Sequence, residues 1–133
     1  MKKAFTIIEA IVALGIFGLG VLAVVSFFIY SSQFTRLARQ TTISSNLVEQ
    51  TMEETIALPY SSLIPATGSR TRFSSDQSSP YYSYEKQINI TLVNSSLANS
   101  ATDVGLKKIN VLVFWQAGTQ EKSVELATVV GSK

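Results

Sequence analysis

A run of apolar residues from Phe5 to Tyr30, FTIIEAIVALGIFGLGVLAVVSFFIY, sets the tightest limit on how this chain can fold. It carries a single charge, Glu9, and exceeds the roughly 20 residues a helix needs to cross the hydrocarbon core of a bilayer. The run therefore predicts one membrane-spanning helix. Lys2 and Lys3 stand just before it. Positive charge on that flank holds the amino terminus in the cytoplasm. The predicted orientation is amino terminus in, carboxy-terminal domain out. A secretory signal peptide would carry its cleavage site after the apolar run. Here the small residue that can be cut at, Ala4, comes before it, so the apolar segment is expected to be kept.

Glu9 is expensive in that setting. An acid at the centre of a span costs about 2.5–3.5 kcal/mol, and less near an end. Glu9 lies about one turn in, so water or headgroups can relieve part of the cost. It is either a tolerated interfacial acid or an acid that awaits a cation from another subunit. Gly15, Gly18 and Gly20 add a second cost, about 1 kcal/mol each in a helix interior relative to Ala. Small residues allow close helix packing in membranes. The alternative is a segment built to loosen on leaving lipid, and the sequence leaves both readings open.

The chain has 133 residues, so roughly 100 remain for one small soluble domain. It contains neither cysteine nor histidine. That excludes a disulfide framework and a thiolate metal site, and removes the commonest general base and metal ligand. No catalytic triad, phosphate loop or acidic metal cluster is evident; Asp76 and Asp103 each stand alone among serines and threonines. The expectation is no enzyme, no cofactor, no metal and no small-molecule substrate. The net charge of +2 comes from eleven basic and nine acidic residues. Without Lys2 and Lys3 the remainder is neutral. Arg70 with Arg72, and Lys107 with Lys108, make two weak basic pairs that read as a solvated face rather than a DNA contact. Arg36 and Arg39, just past the span, also read as solvated.

Past Tyr30 the composition turns polar, yet no Pro or Gly occurs between Gly20 and Leu58. Phe34, Leu37, Ala38, Leu47, Val48, Met52 and Ile56 recur at roughly helical spacing, with Thr41, Ser44 and Ser45 interrupting. One continuous helix is predicted from Phe5 to Ala57, ended by Pro59. Pro59 to Pro80 reads as a surface loop. Tyr81, Tyr82 and Tyr84 are expected to pack on the helix. Three strands follow: Tyr84–Val93, Leu106–Trp115 and Ser123–Val130, the last two joined by a hairpin over Ala117-Gly118-Thr119-Gln120. Asn94 to Gly105 reads as a polar loop. The Leu106–Trp115 strand has apolar residues on both faces near its end and is expected to be central. The fold class is α+β, an antiparallel meander laid on the second half of one long helix.

KKA followed by FTIIEAIVAL resembles the cleavage and methylation signature of class III signal peptides, carried by type IV pilins and type II secretion pseudopilins. That resemblance covers about the first 30 residues and implies the pilin fold. It implies that a prepilin peptidase cuts between Ala4 and Phe5 and methylates the new amino terminus at Phe5. It further implies that Glu9 is the assembly residue, pairing with the amino group of a neighbouring subunit. The residue before the cut is usually Gly, and Ala4 departs from that. Major pilins often carry a kinking Pro within the span, and Ser26 stands where one is expected. The strand VLVFW and the terminal LATVV are similar to minor pilins of the PilV type and pseudopilins of the GspI type.

The domains expected are then a leader over 1–4, a transmembrane and filament-core helix over 5–30, a continuation over 31–58 packed on the sheet, and a β domain over 59–133. The function implied is a structural subunit, a minor pilin or pseudopilin of a type IV pilus or type II secretion-like filament. Its partners are other pilin-like subunits, the prepilin peptidase, the inner membrane and its assembly platform, with DNA discounted. It resides as a single-pass protein of the inner membrane, and then in the filament. A major pilin, a competence pseudopilin, or a single-span anchored binding domain are the alternatives.

Overall fold

A computed structural model describes residues 6–132. Leader residue Ala4 and the expected mature start, Phe5, lie outside the described residues. Helix α1 runs Ile7–Ile56. Five strands follow, β1 (Ala66–Thr67), β2 (Thr71–Arg72), β3 (Tyr84–Leu92), β4 (Leu106–Ala117) and β5 (Gln120–Gly131). The chain divides into two units between Arg39 and Gln40. The fold is α+β: one long, amino-terminally apolar helix followed by an antiparallel five-stranded sheet.

In the second unit the sheet order is β1-β3-β4-β5, with β2 also paired to β3. All pairings are antiparallel. As expected, β4 is central. It pairs with β3 from Tyr84↔Trp115 to Leu92↔Lys107, and with β5 from Leu106↔Gly131 to Ala117↔Gln120. The β4–β5 hairpin turns at Gly118, whose φ of 67° lies in the left-handed region that favours glycine.

The core lies between the last four turns of α1 and one face of the sheet. Alternate residues of β4, Ile109, Val111, Val113 and Trp115, point to the same side. They cluster with Tyr84 of β3, with Leu63, and with Leu47, Val48 and Met52 of α1. Ile109, Val111 and Val113 are fully buried. Of the three tyrosines expected against the helix, Tyr84 is in this cluster. Tyr81 is exposed, and the Tyr82 hydroxyl instead accepts a hydrogen bond from Arg72 at 2.7 Å.

The buried stripe of α1 differs from the apolar pattern. Ser44, Thr51 and Thr55 face inward with Leu47, Val48 and Met52, and Ser44 is 0% exposed. Ile56, counted in the apolar stripe, is exposed. The hydroxyls bury at little cost because each donates to a carbonyl one turn back: Ser44 to Gln40 at 2.9 Å, Thr51 to Leu47 at 2.7 Å and Thr55 to Thr51 at 2.7 Å.

Past Ile56 the chain turns at Pro59 into a single 3-10 turn, Tyr60–Ser62. The segment read as a plain loop then contributes β1 and β2, each of two residues, along the edge of β3. Gly68 sits against the Ile88 carbonyl, to which its own N–H donates at 3.0 Å. A β-carbon there would collide with that carbonyl, so a glycine is required where β1 leaves the sheet.

Candidate functional site: the exposed apolar helix and its first-turn acid

The residues that the sequence marks out begin at the start of α1. Thr6 caps the helix. Its hydroxyl accepts from the Glu9 N–H at 3.3 Å, and its carbonyl accepts from the N–H groups of Glu9 and Ala10 at 3.1 and 3.2 Å. Thr6-Ile7-Ile8-Glu9 therefore has the spacing of a capping box, Thr at the cap and an acid three residues on. A carboxylate in the first turn also complements the positive end of the helix dipole. This local reason for an acid at Glu9 is legible in the sequence as the spacing Thr-x-x-Glu and needs no distant cation. Among the described residues, none forms a salt bridge with Glu9.

Every described residue from Thr6 to Arg39 is exposed. Among them Ile7 is 82% exposed, Phe17 71% and Phe28 68%, values ordinary for lysines and not for core side chains. No charge occurs between Ala10 and Thr35. At 1.5 Å per residue that stretch is roughly 39 Å long, against a hydrocarbon core of about 30 Å. Among the described residues, α1 is the one helix long and apolar enough to cross a membrane. Monomeric soluble proteins rarely expose contiguous apolar surface on this scale, so the surface requires lipid or other protein around it.

The glycines sharpen this. A β-carbon added at Gly15, Gly18 or Gly20 would meet nothing within 4 Å. No contact among the described residues accounts for them. The helix also runs unbroken through all three and through Ser26, whose hydroxyl donates to the Leu22 carbonyl at 2.9 Å.

Three of the four residues in the basic pairs discounted as nucleic-acid contacts, Arg70, Arg72 and Lys107, are engaged within the domain. Arg70 stacks 3.6 Å from the centroid of Phe114 and pairs with Glu121 at 2.8 Å. Arg72 lies over Tyr82 and 3.6 Å from Glu85. Lys107 corrects the expectation of a solvated side chain. It is 5% exposed, donates to the Tyr60 carbonyl at 2.9 Å, and sits over the Tyr60 ring and 3.9 Å from Asp103. Spacing cannot find this, because Tyr60 lies 47 residues away.

Lys107 belongs to a polar lock beside the helix exit. The Tyr60 hydroxyl donates to Asp103 at 2.6 Å, and the same carboxylate oxygen accepts from the Gly105 N–H at 2.8 Å. Partial burial, and then the hydrogen bond and charge of Asp103, push the Tyr60 phenol up to about 12. The phenol, the Gly105 N–H and Lys107 hold the Asp103 carboxyl below its ordinary value, against the opposing effect of burial. The lock fixes the 94–105 loop to the turn after α1. It offers no nucleophile and base in catalytic array. No group of three or more His, Cys, Asp or Glu able to hold a metal occurs among the described residues. A scan against protein-family models, a search of curated proteins and a search of solved structures each return no match to this chain.

Proposed function

We propose that this chain is the membrane-inserted precursor of a type IV pilin-like subunit, a minor pilin or pseudopilin. In this reading a prepilin peptidase cuts between Ala4 and Phe5 and methylates Phe5. The subunit then leaves the inner membrane and takes its place in, or at the end of, a helical filament. The observation that carries the reading is the exposed, uncharged helical stretch from Ala10 to Thr35, with Glu9 just before it in the first turn of α1 and KKAFT at its head. That helix needs an apolar environment twice, first as lipid and then as neighbouring helices. Its continuation packs on a small antiparallel sheet, which is the arrangement a pilin-like subunit requires.

Cleavage before Phe5 would create a cation at the new amino terminus. In a filament core that amino group pairs with Glu9 of a neighbour. Two charges in apolar surroundings are costly alone and tolerated together, and the pairing sets the axial register between subunits. Retention of Glu9 fits a subunit beneath the tip better than the tip itself. The partners are other pilin-like subunits, the peptidase and the assembly platform of the inner membrane.

The capping box supplies the test. Glu9→Gln keeps a residue that can complete the box but removes the charge, whereas Thr6→Ala removes the cap and keeps the charge. The assembly reading predicts that Glu9→Gln is processed normally yet falls at least tenfold in its incorporation into filaments, with Thr6→Ala incorporated nearly as well as the parent. The reverse pattern would assign Glu9 to helix capping and remove its intersubunit role.

A further inference from the structure

Charge on the second half of α1 is sorted by sign. Arg36 and Arg39 form one block, and Glu49, Glu53 and Glu54 form another, with no charged residue between them. All of these side chains are exposed. An exposed helix gains from opposite charges three or four residues apart, and neither block offers such a pair. Arg36 and Arg39 are instead a like pair at a spacing of three, and Glu49 and Glu53 a like pair at a spacing of four. Like pairs at these spacings destabilise the helix that carries them. Glu53 and Glu54 also occupy the last turn of α1, which holds no basic residue, so they add to the negative end of the helix dipole. Among the described residues the ion pairs are Arg70–Glu121, Arg72–Glu85 and Lys107–Asp103, and none reaches either block.

The complement to each block is carried by the chain itself. By the helical repeat of about 3.6 residues, Arg36 and Glu54 fall on the same side of α1, and Arg39 and Glu53 within about 100° of them. A second copy of α1 laid alongside without offset sets base beside base and acid beside acid. Offset by about fourteen residues, roughly 20 Å of helix, it sets Arg36 and Arg39 beside Glu49 and Glu53. That one contact relieves both like pairs and supplies cations to the acidic end of the helix. The occupant that these charges select is therefore another copy of the same chain.

We infer that Arg36 and Arg39 of one copy dock on Glu49, Glu53 and Glu54 of a second copy, with the two α1 helices parallel and offset by about fourteen residues. The parallel orientation rests on the filament reading, which keeps the apolar runs of neighbouring copies at one end. The basic block of one copy meets the acidic block of the next, so the contact is head-to-tail and leaves a block free on each outer copy for a further one. The chain then forms runs of itself instead of entering a filament singly among other subunits. Charges of this kind fix offset and orientation more than they add affinity.

The test uses the full chain in cells that supply a prepilin peptidase and a filament assembly system, with the chain quantified in sheared filaments. Arg36→Glu with Arg39→Glu should lower its incorporation at least about fivefold, as should Glu49→Lys with Glu53→Lys and Glu54→Lys. Combining all of these reversals should restore incorporation to within about twofold of the parent. The positions are exposed, and the buried Trp115 reports whether each variant stays folded. The chain has no cysteine. Thr35→Cys with Gln50→Cys therefore gives a defined pair for a short bis-maleimide, and it leaves every charge in place. The offset predicts a ladder of covalent multimers from the double variant and no product from either single one. Full incorporation of the reversed variants, failure of the combination to rescue, or absence of the ladder overturns the inference and leaves the filament reading standing. Product from a single variant, or a ladder that stops at the dimer and so marks a closed pair, overturns it as well. A parent chain absent from filaments instead overturns the filament reading, and this inference with it.

Discussion

Ser44 tests how tightly the buried face of α1 is packed. The side chain is 0% exposed and its hydroxyl bonds the Gln40 carbonyl within its own helix. Ser44→Ala removes a bond whose acceptor keeps its helical partner. The loss is at most about 1 kcal/mol, and the better helix propensity of Ala returns roughly 0.5 kcal/mol. The net change should lie near zero. Ser44→Leu adds three carbons at a fully buried position and should cost about 1–3 kcal/mol by overpacking. For a unit of this size each kcal/mol moves Tm by roughly 4–8 °C. Trp115, the single tryptophan, is 4% exposed in the same core, so its fluorescence reads the transition directly. Thermal unfolding of the full chain in micelles should place Ser44→Leu roughly 5–20 °C below Ser44→Ala. Coincident transitions for the two variants would refute close packing at this position.

Three further outcomes follow from the fold. The Tyr60 phenol is raised from 10.0 to about 12 in the folded chain. Its stabilising contribution is therefore complete below pH 10 and disappears as pH rises toward 12. Asp103, held below 3.8, contributes above that value and loses its contribution as pH falls through the depressed one. Denaturant titrations of the parent and Tyr60→Phe should accordingly differ at neutral pH and converge at the alkaline end. Gly68→Ala should cost about 1–3 kcal/mol by forcing the Ile88 carbonyl away, read as faster amide exchange at β1. Glu121→Gln breaks an ion pair whose side chains are 42% and 46% exposed, and should change stability by less than about 1 kcal/mol.

Much of the fold was legible because period and punctuation agree with it. The apolar run, the absence of Pro and Gly up to Leu58, and the stop at Pro59 give α1 to within two residues at its carboxy end. Alternation in Ile88-Ile90-Leu92 and Ile109-Val111-Val113-Trp115 gives β3 and β4, and Ala117–Gln120 gives the hairpin. Three features were out of reach. Ser44, Thr51 and Thr55 count as polar in any periodicity, although their hydroxyls are satisfied within the helix and sit inside. β1 and β2 are two residues each, too short to show a period, and exist through pairing with β3. The burial of Lys107 depends on Tyr60 and Asp103 meeting in space. At the proposed functional end, Glu9 stands out by its cost in lipid, and its place three residues after Thr6 is equally open in the sequence; the structure adds the bond from the Glu9 N–H to the Thr6 hydroxyl.

The measurement that bears most directly on the central proposal is the intact mass and amino-terminal sequence of the protein, expressed with and without a prepilin peptidase. The proposal predicts a peptidase-dependent start at Phe5, with the residue methylated where the enzyme transfers the group. A chain that still begins at Met1 in the presence of active peptidase would contradict it, leaving an anchored single-span domain whose Glu9 sits in the first helical turn and meets no cation.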